Sequence, residues 1–160
     1  MSMTVTTDKL SQVLAAMTQL VKKDVLVGIP DSAPERKEDT PLSNAQIGYI
    51  LDNGSPKANI PARPFLVPGV ESVQPEIIED FRGGAKAALD GSAAGVERAL
   101  DRAGLRAQNA VRAKIQDGPF IELAPRTLAD RKRRGRTGEK PLLDTGQLRN
   151  SVTYVKRGRK

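Results

Sequence analysis

The chain has no cysteine and no histidine. The first absence removes disulfides and thiolate nucleophiles. The second removes every histidine-based triad and proton relay, and the two together remove the usual zinc ligands. An enzyme built from this sequence would have to work through carboxylates, lysines or a magnesium ion. There is no tryptophan either, and aromatics make up only 3% of the 160 residues, so the core is built from Leu, Val, Ile and Ala. No run of 18 apolar residues occurs, so no segment reads as a membrane span. The opening Met1-Ser2-Met3-Thr4 lacks the charged and apolar regions of a signal peptide, and a cytoplasmic product is expected.

What the sequence has is charge, unevenly placed. Residues 1–90 carry nine Lys/Arg against twelve Asp/Glu, and residues 91–160 carry seventeen against seven. The halves are therefore −3 and +10, which together make the +7 of the whole. Such asymmetry points to a polyanion, or to a neighbouring copy whose acidic part meets this basic part.

The apolar spacing orders the chain. Leu10, Val13, Leu14, Met17, Leu20 and Val21 form a helical stripe, which Thr7 or Asp8 can cap. Residues 24–29 read as a strand ended by Pro30. Residues 30–42, with three prolines and six charges, read as a flexible loop. Ser43, with Gln46 three residues on, opens a short helix by a capping box, and Asn53-Gly54 closes it. Residues 55–69 read as extended chain leading to a short edge strand. A helix is expected from about Ser72, weakened or broken at Gly83-Gly84. Ser92 opens the longest helix, to about Gln116, with Val96, Leu100, Ala103, Ala107 and Val111 facing inward. A helical turn is expected over Pro125–Arg134, a second flexible loop over 131–141 and a capped turn at Asp144–Arg149. A last strand over Ser151–Val155 and a basic tail, 156–160, complete a single domain spanning 1–155.

Two basic groups are candidates for contact with DNA or an acidic partner. One is the helix face of Arg98, Arg102, Arg106 and Arg112. The other is the run Arg131, Lys132, Arg133, Arg134 and Arg136. Phosphate attraction needs only this density of charge, but no aromatic interleaves it and no recognition motif accompanies it, so sequence-specific reading is not expected. Glu76, Glu79 and Asp80 are close on one helix; they read as solvated carboxylates rather than a metal site. Asp144 reads as a helix cap reciprocated by Gln147. No catalytic residue, cofactor or metal ligand is identified.

Two segments carry a resemblance. The first is Leu51-Asp52-Asn53-Gly54-Ser55 followed by Ile60-Pro61-Ala62-Arg63-Pro64-Phe65-Leu66. The second is Pro125-Arg126-Thr127-Leu128-Ala129 followed by Lys140-Pro141-Leu142-Leu143-Asp144-Thr145-Gly146-Gln147-Leu148-Arg149-Asn150-Ser151-Val152. In this order and spacing, over about residues 43–155, the chain resembles the tail-component and virion-morphogenesis proteins of tailed bacteriophages. The resemblance implies an α+β subunit, with a small, mainly antiparallel sheet packed by a long helix of the C-terminal half and by an N-terminal helix. It implies a non-enzymatic virion protein forming a ring, six-fold by expectation, that completes or terminates the tail at the neck and joins it to the head. The partners it implies are copies of itself, neighbouring neck and tail-tube proteins, and non-specific contact with DNA in the channel. It places the protein in the virion, and in the host cytoplasm during assembly. Arg63 and Arg149 are implied to tie loops down, and Asp144 to cap. Head closure, or DNA binding through the basic half, are the alternatives. Apolar contacts around Ile60, Phe65 and Leu66 are expected to drive association, with Glu76, Glu79 or Asp80 near arginines of a neighbouring copy.

Overall fold

The computed structural model describes residues 8–31 and 42–159. Most of the loop expected over 30–42 lies outside the described residues, as do Thr7 and Lys160. The fold is α+β: among the described residues there are seven α-helices and one two-stranded antiparallel sheet. No described helix is long and apolar enough to cross a membrane. Contacts divide the chain into two compact units, residues 1–26, 74–106 and 154–160, and residues 27–73 and 107–153.

The first unit is built on helix α1 (Leu10–Val21), α4 (Gln74–Leu89) and the opening part of α5 (Ala93–Asp117). Strands β1 (Lys23–Gly28) and β2 (Thr153–Gly158) contribute most of their residues to it. Asp8 Oδ1 accepts from the Leu10 N–H at 2.9 Å, satisfying one of the open donors at the start of α1. Ser92 Oγ does the same for Gly95 at the start of α5, 3.1 Å away. The core is made of small side chains: Ala16, Ala88, Val96 and Leu100, with Leu20, Val25 and Ala87 against them. Small residues let helix backbones approach closely, and Gly83-Gly84 therefore does not break α4. A Cβ at Gly84 would stand 3.0 Å from that of Ala99, so glycine fits where α4 meets α5. The α1 stripe is divided. Ala16 is fully buried and Val13 and Leu20 are partly covered, but Leu10, Leu14, Met17 and Val21 are exposed.

The second unit holds α2 (Asn44–Asn53), α3 (Leu66–Glu71), the closing part of α5, α6 (Pro125–Arg133) and α7 (Gln147–Ser151). The capping box at α2 is present in full, Ser43 accepting from the Gln46 N–H and Gln46 from the Ser43 N–H. The expected edge strand before Phe65 is instead a single bridge between Ser55 and Ile60, extended chain, and then a helix. Asp52 explains the difference: its Oδ1 accepts from the Phe65 and Leu66 N–H groups at 2.7 and 3.1 Å, which starts α3. The core joins Phe65, Val111, Ile115, Leu142, Leu148 and Val152. Gly69 lies against the Val111 backbone, where a Cβ would come within 2.8 Å of its Cα.

Candidate functional site

The two sequence segments that carry the phage resemblance meet in the second unit, around a cleft of about 790 Å³. Ile60, Pro61, Arg63, Glu122, Leu123 and Thr127 are among its walls. A second cavity of about 180 Å³ shares Arg63, Leu123 and Thr127 with it and adds Arg131, Asp144 and Gln147. Pro64 restricts Arg63 to extended backbone, while Phe65 is 2% exposed in the core. Phe65 is therefore not available to drive association from the surface, contrary to expectation.

Arg63, 5% exposed, donates from Nε to the Ile121 carbonyl at 2.8 Å and from Nη2 to the Glu122 carbonyl at 3.0 Å. It ties the chain after α5 to the segment before α3. Burial, and then the charge of Arg131, hold its pKa below the ordinary arginine value. Arg131 sits at the centre of the basic run and is itself buried. Its Nη1 donates to the carbonyls of Gly138, Lys140 and Leu143 at 2.7, 3.0 and 3.1 Å. The segment read as a flexible loop over 131–141 is thus folded around one guanidinium.

Asp144 is not a cap. The N-cap of α7 is Gly146, at φ 76°, with no side-chain capping bond. The Asp144 carboxylate lies between two guanidiniums instead, 3.5 Å from Arg131 Nε and hydrogen-bonded to Arg136 Nη1. Charge-assisted bonds to guanidinium outcompete a bond to a neutral backbone N–H. Gln147 does not reciprocate, and its buried Oε1 has no partner. Thr145 and Gly146 line the small cavity, and Leu148 belongs to the core. Arg149 was expected to tie a loop down, yet its buried Nε has no hydrogen-bond partner.

The remaining basic candidates divide. Arg102 and Arg106 both donate from Nε to Asp80, at 3.0 and 2.9 Å. The acid–arginine pairing expected between copies is, for Asp80, made within one chain. Burial pushes the Asp80 carboxyl up, but the two guanidiniums outweigh it and leave it below the usual range. Glu79 pairs with Arg82, so the three carboxylates of α4 are not held together, and no described group of acidic side chains is placed to hold a metal. Arg112 holds the carbonyls of Val152, at 2.8 Å, and Asn150, at 3.4 Å. Arg133 pairs with Asp130. Of these candidates, Arg98, Lys132 and Arg134 are exposed and take no partner among the described residues.

Sequence reasoning missed a second centre, in the first unit. Glu97 accepts from Gln19, Lys23 and Lys156, which brings its pKa to about 2, through Lys156 first and Lys23 second. Asp101 also takes Lys156, at 2.7 Å, and accepts from the Tyr154 hydroxyl at 3.2 Å. Burial and the Asp101 charge raise the Tyr154 pKa. The available signal was the i, i+4 spacing of two acids on a helix that is otherwise basic at its surface. No family model, curated protein or solved structure matches the chain.

Proposed function

We propose that the chain is a non-enzymatic structural protein of a tailed-phage virion, assembling as a ring of copies at the neck to complete or terminate the tail and join it to the head. The observation that supports this reading is the convergence of the two resembling segments. Arg63 and Asp144, far apart in sequence, line one small cavity, and Phe65 shares a core with Leu148 and Val152. The motif residues act there as framework: Arg63 donates to carbonyls, Asp144 pairs with Arg131 and Arg136, and Phe65 and Leu148 fill the core.

The alternative of a DNA-binding accessory protein loses ground on the same geometry. Six of the nine basic candidates take partners within the chain. Three unpaired cations among these candidates are few beside the six to ten phosphate contacts of a strongly salt-dependent DNA binder. The test is a nonsense codon in the gene, in the phage or prophage that encodes it. Unjoined heads and tails should accumulate, and the purified chain should restore joining. Normal infectious particles lacking the chain would overturn the proposal.

A further inference from the structure

The first unit carries an apolar face that nothing in the described chain covers. On α1, Leu10, Leu14, Met17 and Val21 are between 42% and 66% exposed. On α4, Ile78, Phe81 and Leu89 are between 38% and 64% exposed. Scattered exposed apolar residues are ordinary, but these are not scattered. Leu20 lies against Gly84 and Gln12 against Gly91, so α1 and α4 run antiparallel. Gln19 on α1 and Asp80 on α4 both reach α5, which marks the side of each helix that faces it. At ~100° per residue, each helix presents first the α5-facing side, then the side against its partner, then the exposed stripe, in the same rotational sense. In an antiparallel pair this order turns both stripes outward together, away from α5, as one continuous surface.

The α1 half of that surface is also free of charge, while the α4 half carries the exposed Arg82–Glu79 ion pair beside Ile78 and Leu89. Helix α1 has no Asp, Glu, Lys or Arg in its twelve residues, although most of them are exposed. A helix that faces water usually carries charged residues there, and a polyanion would find no cation on α1 to bind. The seven side chains leave roughly 700 Å² of apolar surface open, above the largest patch of most monomers. The figure is close to the ~800 Å² that each partner contributes to a stable interface of standard size.

We infer that this α1–α4 face is where a second copy of the chain docks. The open area is close to what one protomer brings to a stable self-association, and the absence of charge on α1 suits a partner of the same +7 net charge. This deepens the ring reading by naming a subunit contact, and it stands on the face rather than on the phage resemblance. In place of the contact guessed around Phe65, it puts the apolar drive on residues the fold leaves open.

The test uses the full chain. Leu14→Glu and Phe81→Glu each place a charge at an exposed position that the fold tolerates, with Tyr49→Glu, on exposed α2, as control. Mass is read by sedimentation at tens of micromolar, and fold by circular dichroism. The wild type and Tyr49→Glu should sediment as a multiple of 17.2 kDa. The two face variants should dissociate at least tenfold more readily with unchanged helicity. Because the chain has no cysteine, Met17→Cys supplies a unique thiol, whose maleimide labelling should slow at least tenfold in the assembly. A wild type monomeric at these concentrations, face variants that assemble normally, or a thiol labelled at its free rate would each overturn the inference. If Tyr49→Glu alone abolishes a ring, this face is wrong and the neck reading stands. If the face variants abolish a dimer and no ring forms in any sample, the face is right and the neck reading fails.

Discussion

Replacing Glu97 by Gln removes the one carboxylate that Gln19, Lys23 and Lys156 share. A pKa lowered from 4.5 to about 2 would correspond to roughly 3 kcal/mol if fully expressed. The Glu97 side chain is 29% exposed and its lysines are comparably open, so solvent screening brings the expected loss to about 1–2 kcal/mol. The pH dependence has a definite sign. The folded-state pKa is depressed, so the stabilisation is complete above the unfolded value of 4.5 and disappears as pH falls through about 2. Urea unfolding of wild type and Glu97→Gln, followed by circular dichroism in low salt, should differ by about 1–2 kcal/mol at pH 7, with half of that difference gone near pH 3. Raising salt to 0.5 M should shrink it at pH 7. A difference below ~0.3 kcal/mol at pH 7, or one that stays flat from pH 7 to 3, would refute the reasoning.

Gly104→Ala should lower the melting temperature, because a Cβ there runs into the ring of Tyr154, a rigid neighbour; overpacking of this kind costs about 1–3 kcal/mol. Arg131→Lys should leave residues 135–143 open to limited proteolysis, since an ammonium cannot reproduce a fork that serves three carbonyls and Asp144; an unchanged cleavage pattern would count against the clasp. Asp80→Asn should cost about 1–2 kcal/mol in urea unfolding, rather than the larger loss of a fully buried pair, because Arg102 and Arg106 are half exposed and can turn to water. Random-sequence duplex should bind no tighter than ~10 μM at 0.15 M salt by fluorescence anisotropy; tight binding that falls steeply with salt would restore the DNA-binding alternative.

The sequence was legible where one local force decides. The Val96–Val111 stripe marks α5, and Ser43 with Gln46 marks the start of α2, because helical periodicity and a capping box are read within a few residues. It was misleading where a distant group intervenes. Gly83-Gly84 looks like a helix breaker until Ala99 needs the space. The chain leading to Leu66 looks like an edge strand until Asp52, accepting from the Phe65 and Leu66 N–H groups, starts α3 there. Asp144 has the spacing of a cap, but two arginines that spacing cannot place take its carboxylate. The same holds for the basic candidates: density of charge was visible in the sequence, and the carbonyls and carboxylates that occupy most of it were not. The apolar content of α1 was plain, while its division into a covered and an open side depends on where α4 and α5 lie.

The guanidinium of Arg131 also bears on the order in which the second unit forms. Its three carbonyl partners lie 7, 9 and 12 residues away along the chain. Closing loops of about ten residues takes on the order of 10–100 ns, and the entropic cost grows only slowly with length. The clasp is therefore available to a chain that has made none of its long-range contacts. The turn that sets α6 against the segment leading to α7 can thus act as an early nucleus, to which Arg63 and Phe65, both contributed from far upstream, are added later.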